Sequence, residues 1–358
     1  MKINRQQFID ALTKVKPGLA NNEIIEQSNN FIFDDDIIRT FNDEIAITHK
    51  FKTGLVGSVT SKEFYALLTK IPDEEITAEM KDDSKFVFKG KKKQTTFNIN
   101  PEIGLTNIEP AGLKADVWQD LPNDFCDCVK RCTFSISKNM TSVELTGVCV
   151  AGDTVLSCDR IRATRIVMAG AVEENFILPG NAAEIINNYN PHRYYMDTNW
   201  IHFVNKENTT LSVRRISAEF PVDSVNGVFD FKGKKISLPD GLKDALDRSK
   251  ILINSEMDNK EVALIFTAGD ITCEAIGIVA QHTEQIDSAY KGKDFKITID
   301  PKLLADILQR ISTATIGEDK VLFKDDKGFE HVILLVPDDV ELPVQATKPK
   351  AKRSKKAK

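Results

Sequence analysis

The stretch DALTKV at positions 10–15 recurs as DCVKRC at 127–132 and as DALDRS at 244–249, each time 117 residues further along the chain. A second set of segments has nearly the same period. It consists of VTSKEF at 59–64, LPGNAA at 178–183 and IDPKLL at 299–304, which are separated by 119 and 121 residues. Both sets place apolar residues at helical spacing. The sequence is therefore three copies of one unit, each with two helices, and the fold must be a repeat fold.

The composition is that of a globular protein. Of its 358 residues, 41% are hydrophobic and 28% are charged, and this length predicts two or three domains. No apolar stretch approaches the roughly 18 residues of a membrane helix, and the N-terminus lacks the apolar core of a signal peptide. We therefore expect a cytoplasmic protein with no membrane partner. The six cysteines lack CxxC spacing and the five histidines form no pair at ligand spacing, which predicts reduced, mostly buried thiols, no metal site and no cofactor.

The local pattern of the first copy predicts a strand, a helix and further strands, and then the same order again. Apolar residues at helical spacing predict helices over 6–15 and 61–70, the second with Ser61 as its N-cap. Asp34–Asp36 are typical turn formers, and a hairpin turn explains them better than a set of metal ligands. Short apolar stretches predict strands at 31–33, 37–41, 45–48, 56–60, 75–80, 85–88 and 95–99.

A basic residue recurs at one position of the first helix in every copy. On a helical wheel Lys14 lies about 160° from Leu12, so it points away from the apolar face. Arg131 and Arg248 occupy the equivalent position in the other two copies. A solvated helix face would explain any one of these residues alone. Their recurrence in register predicts a functional, positively charged surface.

The second helices repeat this signal in two copies of three. Lys70 and Arg310 stand at equivalent positions at the ends of their helices, where the second copy has Tyr189. Basic residues therefore recur on the first helix of all three copies and at the end of the second helix of two copies.

The last eleven residues, 348–358, hold seven of the 48 basic residues and no acid, so the rest of the chain has 41 basic against 53 acidic residues, a net charge of −12. A basic stretch without apolar anchors cannot bury enough surface to fold alone, and we expect it to be a disordered tail. Two interpretations are equally open: a nonspecific tether to nucleic acid, or a solvated tail without a partner.

With these features the chain resembles the bacterial β sliding clamp of the replicative DNA polymerase, over residues 1 to about 337. The resemblance rests on the three repeated blocks, on SCDRIR at 157–162, on the stretch 215–221 with its final Phe-Pro, and on the strand VILLVP at 332–337. Family clamps have an ATDGHR-like loop where this chain has SCDRIR, so Arg160 and Ile161 replace a glycine and a histidine. These departures and the basic tail favour a phage or plasmid version, located in the cytoplasm of a bacterial host.

The resemblance implies an α+β clamp fold with three domains at 1–115, 116–230 and 231–337, each built from two βαβββ-like units, and a tail at 338–358. Two chains would form a head-to-tail homodimer, a ring with helices inside and sheets outside. Such a ring encircles duplex DNA, contacts phosphates without reading bases, and tethers the DNA polymerase and other partners. The sequence has no GxxxxGK[ST] phosphate loop and no GxSxG elbow, so we expect no enzyme activity and a separate clamp loader.

The resemblance and the repeat together assign three groups of residues. The DNA-binding residues are Lys14, Lys70, Arg131, Arg248 and Arg310. A partner-peptide groove is expected from Leu145, Cys158, Arg162, Ala163, Pro221, Leu335, Val336 and Pro337, although residue type alone favours core positions for Leu145 and Val336. The dimer interface is expected from Phe97, Ile99, Ile251 and Leu252, for which internal core positions are the alternative.

Two other classes of function remain open. The first is a nonspecific DNA-binding protein whose affinity comes mainly from the basic tail. The second is a structural β-repeat protein that does not bind DNA. Retention on circular DNA at high salt would separate both from a closed ring, because only a ring is held topologically.

Overall fold

The computed structural model describes residues 1–23, 25–82, 84–103, 117–253, 261–278 and 280–337. They form two compact units, the first with Met1–Phe231 and Lys324–Val332 and the second with Lys232–Phe323 and the residues after Val332. No helix within the described ranges is long and apolar enough to cross a membrane. The domain boundary expected at 115/116 and the tail expected from 338 lie outside the described residues, so both stay predictions.

The first repeat follows the predicted order of elements. Its two helices confirm the predicted spans at 6–15 and 61–70, and the strands β1, β4, β5 and β6 form a sheet in the order β1-β4-β5-β6. The elements are β1 (Lys2–Asn4), α1 (Arg5–Val15), β2 (Asn30–Phe41), β3 (Ile45–Thr60), α2 (Ser61–Lys70), β4 (Glu75–Asp82), β5 (Lys85–Lys89) and β6 (Gln94–Asn98).

The hairpin turn predicted at Asp34–Asp36 is wrong. Strand β2 runs through these residues, and a register shift between Asp35 and Ile37 marks a β-bulge at which Asp35 has a φ of 53°. A bulge takes up an extra residue without ending the strand, and aspartate tolerates the left-handed region better than most residues. Strand β3 likewise joins the strands predicted separately at 45–48 and 56–60.

The prediction for the N-cap of the second helix is also wrong. Thr60 occupies the cap position of α2, and Ser61 is its first helical residue. The first helix does have a side-chain cap, because the Asn4 side-chain oxygen accepts a hydrogen bond of 3.0 Å from the backbone N–H of Gln7. This bond satisfies one of the amide groups that a helix leaves unpaired at its start.

A cluster of phenylalanines forms the core of the first repeat. Phe8 from α1, Phe33 from β2 and Phe64 from α2 are fully buried, and their ring centroids lie 5.7 to 6.1 Å apart. Burying one such side chain contributes roughly 1.5–3 kcal/mol. Both helices therefore turn their apolar faces to the sheets and their polar faces outward.

The second and third repeats each show the expected βαβββ unit twice. The second has β7 (Gln119–Asp120), α3 (Phe125–Cys132), β8 (Gly147–Ala151), β9 (Thr154–Cys158), β10 (Arg162–Val167), β11 (Phe176–Pro179), α4 (Gly180–Tyr189), β12 (Arg193–Met196), β13 (Trp200–Val204) and β14 (Thr209–Arg214), and is followed by α5 (Val222–Gly227). The third has β15 (Lys234–Ser237), α6 (Gly241–Leu252), β16 (Val262–Thr267), β17 (Asp270–Ile276), β18 (Gln281–Asp287), β19 (Phe295–Ile299), α7 (Pro301–Leu308), β20 (Thr313–Ile316), β21 (Lys320–Lys324) and β22 (Phe329–Leu334).

The pairing pattern explains why the first repeat has only two strands where the others have four. In the second repeat β8 pairs with both β9 and β11, and β10 pairs with β9. In the first repeat the first half of β2 pairs with the second half of β3, as β8 does with β11, and the second half of β2 pairs with the first half of β3, as β9 does with β10. Because the two halves of β2 form one strand with a bulge at Asp35, the pairing of β8 with β9 has no counterpart in the first repeat.

Within the first unit, one strand from each of the first two repeats joins them into a single sheet. Strand β14 pairs antiparallel with the first half of β3, with Thr209 opposite His49 and Val213 opposite Ile45. The sheet has the order β2-β3-β14-β13-β12-β7. An edge strand of one repeat is therefore covered by the last strand of the next, which removes an exposed edge.

Candidate functional site

Lys14 lies in the last turn of α1 and points away from the core, as the helical wheel predicts. Its side chain is 38% exposed, and its Nζ donates a hydrogen bond of 2.5 Å to Oε2 of Glu207. Glu207 belongs to the turn between β13 and β14, in the second repeat. The hydrogen bond and the charge of Lys14 lower the pKa of the Glu207 carboxyl group. The first helix is thus joined by an ion pair to a hairpin turn of the next repeat.

Arg131 makes the corresponding contact one repeat later. Its guanidinium group donates to Oδ2 of Asp325 and lies 4.9 Å from the centre of the Phe329 ring. Asp325 lies in the turn between β21 and β22, and this turn belongs to the first unit. Burial acts to raise the pKa of Asp325, but backbone hydrogen bonds from Phe329 and Lys327 and the charge of Arg131 lower it on balance.

Arg248 has a different partner. Its Nε and one terminal nitrogen donate hydrogen bonds of 2.8 and 2.5 Å to the two carboxylate oxygens of Glu284, which lies on β18 of the same repeat. Hydrogen bonding to Arg248 lowers the pKa of Glu284. All three residues at the repeated basic position are therefore ion-paired.

Sequence reasoning identified the basic residues of these pairs but missed the acidic ones. Lys14 and Glu207 are 193 residues apart in the chain, and Arg131 and Asp325 are 194 residues apart. This nearly constant separation reflects the repeat, because each pair joins the first helix of one repeat to the last turn of the next. Local periodicity carries no such information, because the acidic residues lie in turns.

The ends of the second helices differ from each other. Lys70 is exposed at the end of α2 and forms no ion pair with any residue that the structure describes. Arg310 follows α7. Tyr189, at the equivalent position of α4, donates a hydrogen bond of 2.6 Å to the backbone oxygen of Lys14. The second repeat has thus replaced a charge with a contact that holds the end of α1.

The groove residues of the first unit are mainly buried. Leu145 and Ala163 are core residues, and Cys158 is half-buried, with a pKa that burial raises. The Nε of Arg162 donates a hydrogen bond of 2.9 Å to Asp159, and its guanidinium group lies 5.0 Å from the centre of the Phe134 ring. Among these four side chains, Arg162 and Cys158 are the ones that reach the surface.

The loop that departs from the family pattern carries the most distinctive surface of this region. Arg160 has a left-handed backbone, with a φ of 76°, and donates a hydrogen bond of 2.6 Å to Oγ of Ser142. Ile161 in this loop is 51% exposed, and two apolar side chains on either side of Ser142 are also exposed, Met140 at 74% and Val143 at 42%. Sequence analysis did not single out Met140 or Val143, because an isolated apolar residue in a polar loop carries no periodic signal.

Of the remaining predicted groove residues, Pro221 belongs to the first unit, and Leu335, Val336 and Pro337 belong to the second unit. Pro221 is exposed and lines an open cavity of about 790 Å³ with Phe220 and Arg215, all in the first unit. In the second unit the backbone N–H groups of Leu335 and Val336 each donate a hydrogen bond of 2.8 Å, to Asp319 and Thr298 respectively. Val336 is half-buried and Pro337 is exposed.

The four residues predicted for a dimer interface divide into two kinds. Phe97 is half-buried against Phe64, with ring centroids 5.0 Å apart, and Ile99 is also half-buried. Ile251 is 80% exposed at the end of α6, and Leu252 beside it is half-buried. The core alternative therefore fits Phe97 best, and Ile251 is the residue most available to a partner.

The described residues contain no group of three or more histidine, cysteine, aspartate or glutamate side chains that could hold a metal ion. Of the six cysteines, five are buried, and burial raises the pKa of Cys126 to about 11 and that of Cys149 to about 12. Such thiols remain protonated near neutral pH and are poor nucleophiles.

No protein-family model and no curated protein matches the chain, but solved structures do. The DNA polymerase III beta chain from Streptococcus pneumoniae TIGR4 has a TM-score of 0.81 at 16% identity, over 94% of this chain and 99% of that chain. A DnaN sliding clamp from Bartonella birtlesii bound to griselimycin has a TM-score of 0.81 at 15% identity, over 94% and 99%. The C. crescentus beta sliding clamp has a TM-score of 0.78 at 18% identity, over 94% and 98%. The chain therefore has the fold of the bacterial β sliding clamps.

Proposed function

We propose that this protein is a DNA sliding clamp, a processivity factor without enzyme activity that encircles duplex DNA and tethers a DNA polymerase. The observation that carries the proposal is the likeness to DNA polymerase III beta chains along 94% of this chain and nearly the full length of those chains. The three repeats that this likeness covers account for nearly all of the chain. The repeated basic helices add the charge that a clamp needs on its inner surface.

The helices of the first unit offer cations suited to phosphate groups. Lys62, Lys70 and Lys130 are exposed on α2 and α3 and form no ion pair with a described residue. Lysine side chains at such positions bind phosphates as point charges, without fixed geometry and without contacts to base edges. Contacts of this kind hold a duplex and still permit the protein to move along it.

A second copy of the chain would close the ring. Strand β14 covers the edge of the first half of β3 within the first unit. The strand equivalent to β14 in the first repeat is β6, and the strand equivalent to the first half of β3 in the third repeat is β18. Both are edge strands of their four-stranded sheets, β6 in the first unit and β18 in the second. The same pairing between β18 of one copy and β6 of another would cover both edges and bring Ile251 into the interface. We propose a head-to-tail homodimer on this basis.

Partner proteins would bind to the surface around Arg162 and the exposed Ile161. The polymerase is the expected partner, and a separate clamp loader would open the ring, because the chain itself has no phosphate-binding loop for ATP. Arg160 and Ile161 would give this surface a preference for linear motifs that combine apolar and acidic residues. Leu335, Val336 and Pro337, which belong to the second unit, stay predicted groove residues.

The decisive experiment is topological. The protein would be loaded by its clamp loader onto nicked circular DNA, washed at high salt, and scored for retention before and after the DNA is linearised. A closed ring is retained on the circle and released from the linear DNA, whereas a binder held by charge dissociates from both alike. A variant without residues 348–358 tests the tail, because retention should survive this deletion. Equal release of the full-length protein from circular and linear DNA would reject the sliding clamp.

A further inference from the structure

Two hairpin turns form ion pairs with the repeated basic residue, and the two turns have the same pattern of hydrogen bonds. In the turn between β13 and β14, Oδ1 of Asn205 accepts hydrogen bonds from the N–H groups of Glu207 and Thr209, at 3.0 and 2.9 Å. In the turn between β21 and β22, Oδ1 of Asp325 accepts bonds of 2.9 Å from the residues at the same offsets, Lys327 and Phe329. The same side-chain-stabilised turn thus stands opposite the basic helix position twice.

The first repeat has the corresponding turn between β5 and β6, and it differs in charge. It consists of Gly90 and the three exposed lysines Lys91–Lys93. No acidic residue stands in it, and the Lys91–Lys93 side chains form no ion pair within the described part of the chain. Each of the other two turns binds the basic residue of the preceding repeat, Lys14 or Arg131. By the same rule the turn of the first repeat would face Arg248 of the third repeat. In a head-to-tail ring it belongs to the second copy.

Arg248 already forms an ion pair within its own repeat and does not need the turn of another copy. Its two hydrogen bonds to Glu284 use both carboxylate oxygens, and both residues belong to the third repeat. If the two copies separated, this ion pair would remain intact. In contrast, moving the helix of Lys14 or of Arg131 away from its turn would break an ion pair.

We propose that the Lys91–Lys93 turn of one copy faces Arg248 of the other, so that the junction between two copies lacks the helix-to-turn ion pair of Lys14 and Arg131 and is held more weakly at this position. The inference rests on the proposed homodimer. A basic turn beside an arginine that is already paired contributes no attraction of its own, so closure there depends on strand pairing and apolar contacts such as those of Ile251. Opening then breaks no ion pair at this position.

The test is to install the missing ion pair. Lys92→Glu places a carboxylate at the turn position that Glu207 occupies in the second repeat, and Glu284→Gln releases Arg248 to bind it. Because a head-to-tail dimer has two such junctions, the double variant should lower the dimer dissociation constant about two- to thirtyfold, which is the range of two partly exposed ion pairs, as measured by analytical ultracentrifugation. The gain should vanish at 1 M salt, where the Debye length is about 3 Å. Retention time on nicked circular DNA should lengthen in parallel.

The matched control is Lys52→Glu combined with Glu284→Gln, because Lys52 is an exposed lysine on β3 and its reversal changes the net charge equally. A dissociation constant for the Lys92→Glu, Glu284→Gln variant that equals or exceeds that of this control would overturn the inference and leave the dimer standing. A wild type that is monomeric at every concentration would instead remove the homodimer, and with it the inference.

Discussion

The Nζ of Lys14 lies 2.5 Å from Oε2 of Glu207, and this ion pair joins residues 193 positions apart in the chain. It connects the last turn of the first helix in one repeat to the hairpin turn at the end of the next. A hydrogen bond from the Tyr189 hydroxyl group to the backbone oxygen of Lys14 joins the same two repeats beside this ion pair. The junction between the first two repeats therefore combines a continuous sheet with a polar contact on its helical side.

Glu207→Gln should lower the free energy of unfolding of the protein by only about 0.2–1 kcal/mol, because both partners are partly exposed and solvent screens the pair. A double-mutant cycle with Lys14→Met would measure the coupling, using denaturant unfolding at low and high salt. The coupling should shrink as salt increases. Equal effects of Glu207→Gln in the presence and absence of Lys14 would show that the pair contributes nothing.

Neutralising Lys70 should weaken DNA binding more than neutralising Lys14. Removing one lysine–phosphate interaction makes the slope of log affinity against log salt shallower by about 0.9. Lys70→Gln should show this change, whereas Lys14→Gln should show a smaller one because Glu207 already offsets the charge of Lys14. The measurement is fluorescence anisotropy on a short duplex over a salt series, with residues 348–358 deleted from every variant.

Lys52→Gln, which changes an exposed lysine on a strand, is the control for charge alone. A slope that is the same for the Lys70, Lys14 and Lys52 variants would contradict the assignment of the helices to the DNA surface. The same salt series on variants of Arg131 and Arg248 would extend the comparison to the other repeats.

His49 should make the protein less stable below neutral pH. Burial and the charge of Lys14 lower the pKa of His49 from 6.5 to about 4, against a smaller opposing effect of Glu207. The unfolded chain therefore binds one proton more than the folded chain between these pH values, so this contribution is present above pH 6.5 and is lost as the pH falls toward 4. The loss from this residue can reach roughly 3 kcal/mol.

The measurement is the free energy of unfolding of the wild type and of His49→Gln from about pH 7.5 to about pH 4, a range that spans both pKa values. Glutamine retains a group that can hydrogen-bond to Thr209, which lies 2.8 Å from Nδ1 of His49. The difference between the two proteins should change across this range in the direction that favours the variant at low pH. Parallel curves would rule out His49 as the titrating group.

Arg162→Ala should weaken the binding of a peptide from the C-terminus of the cognate polymerase. Its guanidinium group is held by Asp159 and by the Phe134 ring, so it is presented in one orientation at the edge of the exposed loop. Ile161→Glu should have a larger effect, because it places a charge at an exposed apolar position. Isothermal titration calorimetry would measure both, and Lys206→Ala, an exposed residue in the β13–β14 turn, serves as the control.

Much of the local structure could be predicted from the sequence. The spacing of Phe8 and Leu12 predicted α1, and α2 begins and ends at the predicted residues. Helical periodicity is a local property that a window of about ten residues contains. The turn at Asp34–Asp36 was wrong for the same reason, because three aspartates look the same locally whether they end a strand or form a bulge within it.

The three in-register repeats and the direction of Lys14 away from the core were contained in the sequence, since both depend on residue order and helical geometry alone. The tertiary structure decided which acidic residue each basic position meets. Lys14 and Arg131 bind turns of the following repeat, whereas Arg248 binds Glu284 of its own. An ion pair depends on a distance of a few ångströms in space, and for residues nearly 200 positions apart only the folded chain brings about that proximity.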